Sequence, residues 1–226
     1  MTGSDERAGF LRNNGLSLAM LGLFALSGVG QIAAGFRVHN DELLELGARA
    51  CSLREYLTSG AFAEAVFENW ESEFLQMAVF VVLTKSLRQR GSSESKPLTG
   101  TTEVDEDPRV ARKKADAPWP VKHGGWVLSV YERSLSIALS TLFVACFAAH
   151  AAGGARAYSQ EQQLHGHAGV DFIGYLATSQ FWFESFQNWQ SEFLSIGVLI
   201  YLSIYLRERG SSQSKPVAAS HAQTSE

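Results

Sequence analysis

Cysteine is nearly missing from this chain of 226 residues: there are two, Cys51 and Cys146. Two thiols make neither a disulfide framework nor a cysteine-based zinc site, so packing is the reading for both. Proline is also scarce, and four of the five lie between Pro97 and Pro120. Long helices are therefore permitted everywhere else. Positive charge is not in excess, with 19 Lys and Arg against 23 Asp and Glu and a net charge of −4. That balance argues against a general nucleic-acid surface. No nucleophile–base pair, dinucleotide fingerprint or metal-ligand spacing occurs, so neither an enzyme nor a cofactor is expected.

What the chain does contain is a repeat. Residues 56–97 align with 175–216 at an offset of 119 without a gap, with 21 of 42 positions identical. The same offset carries upstream, giving units 15–97 and 134–216 with 31 identities over 83 residues. Between them lies a linker, 98–133, and residues 1–14 and 217–226 flank the units. The linker mixes Asp105-Glu106-Asp107 with Arg112-Lys113-Lys114 and reads as a flexible tether. Two fused copies suggest a pseudo-two-fold assembly.

Each unit opens on an apolar run. Gly15–Phe36 carries no formal charge, and Ser134–Ala155 has only Cys146 and His150 as groups titrating near neutrality. Both are long enough to cross about 30 Å of hydrocarbon. The first run could be read as a signal peptide, but its partner is internal, which weighs against that. A second helix in each unit, about 62–87 and 181–206, would return across the membrane. Lys85, Arg88, Arg90 and Lys96 follow the first returning helix, and Arg207, Arg209 and Lys215 follow the second. With the basic linker, they place both termini and the linker in the cytoplasm by the positive-inside rule. The expected fold is all-α, with four transmembrane helices as two tandem hairpins about an axis along the membrane normal. Loops 37–60 and 156–179 lie outside and are expected to hold short amphipathic helices such as Asp41–Leu46.

The most specific block is F-x-N-W-x-S-E-F-L, at 67–75 and again at 186–194. Helical spacing puts Asn69, Ser72 and Glu73 on one face, as it does Asn188, Ser191 and Glu192. Both x positions change from Glu to Gln between copies, so charge there is read as dispensable in one copy. Glu73 and Glu192 lie about 21 Å from the cytoplasmic boundary by helical rise, and the aligned pair Gln31 and His150 about 24 Å. These eight residues are expected to share one polar intramembrane layer. Trp70 and Trp189 are expected as interfacial aromatics. The layer reads first as hydrogen bonding between helices, second as a cation, proton or solute path, and third as a docking surface. A metal site from His150, Glu73 and Glu192 is set aside, because one copy has no histidine.

The block, with F-W-F-E-S-F at 181–186 and D-A-P-W-P-V at 116–121, resembles the DUF6766 family over nearly the whole chain. The resemblance implies a bacterial inner-membrane setting and supplies no activity or site residue. The leading expectation is a non-catalytic scaffold or accessory membrane protein. The alternative is a small channel or transporter with paired glutamates on the axis. The expected partners are the lipid bilayer and a second copy or another membrane protein, not nucleic acid.

Overall fold

A computed structural model describes residues 3–224, with side chains from residue 9 onward. Residues 1–2 and 225–226 of the expected flanking segments lie outside the described residues. The described elements are all helical: α1 Gly3–Glu45, α2 Leu53–Leu57, α3 Gly60–Ser86, α4 Trp119–His123, α5 Gly125–Tyr131, α6 Ser134–Leu164, α7 Phe172–Leu176 and α8 Ser179–Tyr205. Shifted by 119 residues, α2 falls on α7, α3 on α8, and the last residue of α1 on that of α6.

Helix α1 runs for 43 residues, well past the expected 15–36. No proline or glycine interrupts it between Phe36 and Glu45, so Arg37, Asp41 and Glu42 are carried along the same helix. Asp41 therefore begins no separate helix; the short helices of the outer loops are α2 and α7. What stops α1 is Gly47, in the left-handed region at φ 73°. The amides of Gly47 and Ala48 bond back to Leu44 and Leu43 carbonyls. Gly166 (φ 78°) ends α6 with the same pair of bonds, from Gly166 to Gln163 and His167 to Gln162. This is the double closure that a glycine after a helix permits.

By length and composition α1 and α6 are able to cross a membrane. The apolar window of α1 is not covered at all. Leu16, Leu21, Leu26 and Val29 are exposed along it. Helices α3 and α8 do not meet the same criterion, because acidic and amide side chains fill their first halves.

The chain forms two compact units, one of residues up to 63 with 153–171, the other of 64–152 with 172 onward. In the first, Tyr56 of α2 is buried among Phe36, His39 and Phe62, with ring centroids 5.3–5.9 Å away. Asn40 clamps the backbone of Cys51 in both directions, at 2.6 and 3.3 Å. At the matched positions Ser159 clamps Val170, at 2.7 and 2.9 Å. The same tie is thus made with different side chains. A capping box at Ser52 starts α2, and its backbone bond with the help of Arg49 holds Glu55 down at about 2.

In the second unit α3 and α8 end at Ser86 and Tyr205. The Arg-Gly-Ser-Ser-x-Ser-Lys-Pro runs at 90–97 and 209–216 predict Gly91 and Gly210 as the residues that close these helices. They do adopt positive φ, but in turns beyond the helix ends. Closure falls instead to Arg88 and Arg207. Arg88 Nη1 donates to the carbonyls of Thr84, Lys85 and Leu87. Arg207 Nη1 donates to those of Ser203, Ile204 and Leu206. The linker is not featureless either. It folds into two 3₁₀ turns, then α4 and α5, with Arg112 bonded to the carbonyls of Lys122 and His123.

Candidate functional site: a buried histidine among carboxylates

Helix α3 opens with Glu64, Glu68 and Glu71, spaced i, i+4 and i+7, so all three lie on one face. Helix α6 brings His150 to that face, with no solvent exposure. Nδ1 of His150 lies 2.8 Å from Glu71 Oε2, and both side chains are fully buried. Nε2 lies 3.4 Å from Oε2 of Glu184 on α8. Tyr175 of α7, fully buried, sets its hydroxyl 2.7 Å from Glu64 Oε1 and 2.6 Å from Glu184 Oε2. Trp189 Nε1 donates to Glu71 Oε1 at 2.9 Å, and Gln180 to Glu184 Oε1 at 2.5 Å. Glu68 adds a further carboxylate within electrostatic reach of His150.

Aromatic rings close the cluster off. Phe181 lies 4.9 Å from the His150 ring and 5.2 and 5.5 Å from the rings of Phe147 and Tyr175. Burial raises the Tyr175 phenol, and Glu184 and Glu64 raise it further, so it remains a donor. It has a single hydrogen for two carboxylate oxygens. The second contact therefore requires a proton on a carboxylate or a cation between the groups. His150 meets a carboxylate at each nitrogen, and a neutral ring donates to one of them while an imidazolium donates to both. Buried carboxylates at this density persist only when paired or neutralised. The arrangement is built to hold protons or a cation.

The expected polar layer is distributed differently. His150 is at the centre of the cluster, while Gln31 is solvent-exposed in α1. Glu73 is exposed and Glu192 half-buried, and Glu192 feels the charge of Glu73. Asn69 and Asn188 bond to the carbonyls of Ala65 and Glu184, one turn back in their own helices. Ser72, which is buried, and Ser191 bond to the carbonyls of Asn69 and Asn188. Those bonds stay within one helix. Trp70 is exposed, whereas Trp189 is half-buried and bonded to Glu71. Glu64, Glu71, Tyr175 and Glu184 were not singled out. The available signal was the i, i+4, i+7 row of glutamates in a helix that is otherwise largely apolar.

Tyr175→Phe removes a hydroxyl serving two carboxylates. It is expected to cost about 1.5–3 kcal/mol, the range for hydrogen bonds to charged groups. Chemical unfolding in detergent measures this, and an unchanged midpoint would show that the hydroxyl carries no weight.

Among known families, the model of a domain of unknown function, DUF6766, matches residues 7–226. No curated protein and no solved structure matches the chain.

Proposed function

The chain belongs to the DUF6766 family, and on that premise we propose that it is a membrane protein that takes up and passes a cation, in the first instance a proton, at the cluster around His150. One observation carries this reading. His150 is wholly buried and meets carboxylates of two other helices through its two ring nitrogens. Intramembrane ionisable groups are costly and mark ion or proton paths. In this reading α1, α3, α6 and α8 are four spans in two hairpins of a duplicated unit. The basic residues after α3 and α8 keep the linker and both termini in the cytoplasm of a bacterial cell, beneath its inner membrane. The uncovered apolar length of α1 supports lipid contact.

A scaffold role fits the cluster less well. Apolar side chains of similar volume hold helices together as well as a buried ion pair, or better. The test is proton flux into vesicles carrying the purified protein under an imposed pH gradient. Wild type is expected to dissipate the gradient faster than protein-free vesicles. Glu71→Gln and His150→Gln are expected to abolish the difference. Glutamine stands at both matched positions, 190 and 31. A wild-type trace identical to that of empty vesicles would return the protein to the scaffold reading.

A further inference from the structure

We infer that Glu64, His150 and Glu184 form a binding site for one divalent transition-metal ion of the zinc type, with Glu71 orienting the histidine. This rests on the cation reading of the same cluster and adds a metal ion that the cluster can hold besides the proton. One potential ligand atom from each of the three side chains lies within 4.8 Å of the others. Histidine nitrogen and glutamate oxygen are the ligands zinc takes, at about 2.0–2.2 Å.

Two distances suit a metal site. The Nδ1 contact to Glu71, 2.8 Å, is a hydrogen bond of ordinary length. Nε2 to Glu184, at 3.4 Å, is longer than the usual 2.7–3.2 Å for such bonds. It matches the edge of a tetrahedron with about 2.1 Å arms, which is about 3.4 Å. If Nδ1 carries the hydrogen for Glu71, Nε2 presents its lone pair towards Glu184 and Glu64. A lone pair facing two carboxylates repels them unless a proton or a metal ion sits between. A ligating histidine ordinarily donates its other N–H to a carboxylate, which fixes its tautomer. Glu71 is in that position, and the Trp189 indole N–H holds its other oxygen.

Charge agrees. Two carboxylates and a neutral imidazole around a divalent ion form a neutral shell, the condition a buried site favours. The Tyr175 hydroxyl, within 2.7 Å of both ligand carboxylates, can donate to either one or approach the fourth position. The buried Ser185 hydroxyl has no hydrogen-bond partner. It sits one turn from both Phe181 and Trp189 on α8, on the face these two present to His150 and Glu71. A metal-bound water would give it one.

The full chain in detergent, stripped with a chelator, is titrated with Zn²⁺ alone by calorimetry. Co²⁺ then replaces Zn²⁺ as an absorbing probe. One equivalent of Zn²⁺ is expected, with a Co²⁺ visible spectrum typical of four-coordinate N/O ligation. His150→Gln and Glu184→Gln are expected to lower affinity at least about 100-fold, and Glu71→Gln about 10–100-fold, as for outer-shell partners. The exposed His165 and His167 are the internal control, and replacing both with alanine is expected to change nothing. Should His150→Gln not fold, Glu64→Gln, with its half-buried side chain, carries the test. No stoichiometric binding by folded wild type, or loss of binding in the His165/His167 variant, overturns the site. The two proposals fail separately. Zinc bound at His150 without flux removes transport and leaves the metal, and flux without zinc binding does the reverse.

Discussion

Replacing His150 with leucine is expected to destabilise the protein by about 3–5 kcal/mol, the cost of removing one partner from a buried ionic cluster. Leucine fits among Phe147 and Phe181, so lost packing is the smaller part. The larger part is that Glu71, with no solvent exposure, loses its 2.8 Å partner, and Glu184 loses one of its contacts. The compensating variant separates the two contributions. His150→Leu combined with Glu71→Gln and Glu184→Gln keeps acceptors for Trp189 and Tyr175 but removes both charges. It is expected to recover more than half of the loss. Thermal unfolding in detergent compares the three proteins. A single variant as stable as wild type would mean that the carboxylates do not depend on the histidine. A triple variant no better than the single one would place the cost in packing.

How legible was this cluster in the chain? The helices were largely so. The apolar runs and their offset of 119 place α3 and α8 within two residues of their observed ends. The outer end of α1 was not, because an apolar run marks membrane length and not helix length. Residues 37–45 include Arg37, Glu42, Leu43, Leu44 and Glu45, good helix formers whatever their polarity. The site was missed for a different reason. Comparing two copies directs attention to what they share, hence to Glu73 and Glu192. A cluster built once, from both copies together, must use positions at which they differ. His150 faces Gln31 in the alignment, Glu71 faces Gln190, Glu64 faces Phe183 and Glu184 faces Ala65. The Glu-to-Gln change read as dispensable charge is a residue of the site. Glu73 lies two residues from Glu71, about 200° around the helix, and so points away from it. The aromatic neighbours Tyr175, Phe181 and Trp189 are common to both copies, as Tyr56, Phe62 and Trp70.

The second large effect concerns Gly60, where the first turn of α3 meets α6. A methyl group there would lie 2.5 Å from the Gly153 carbonyl oxygen, 2.6 Å from the Ala157 nitrogen and 2.7 Å from Arg156 Cβ. Two of those atoms are backbone within a helix, which cannot turn aside as a flexible side chain would. Gly60→Ala is therefore expected to cost about 3 kcal/mol, the upper part of the range for overpacking. Helix propensity pushes the other way, since alanine is favoured over glycine by about 1 kcal/mol inside a helix. Gly22, in the middle of α1, isolates that contribution, because nothing lies within 4 Å of its added Cβ. Gly22→Ala is thus expected to be neutral or to stabilise by up to about 1 kcal/mol. The same substitution should therefore lower the unfolding midpoint at residue 60 and not at residue 22. Equal shifts for the two variants would mean that propensity, and not the approach of α6, decides what residue 60 can be.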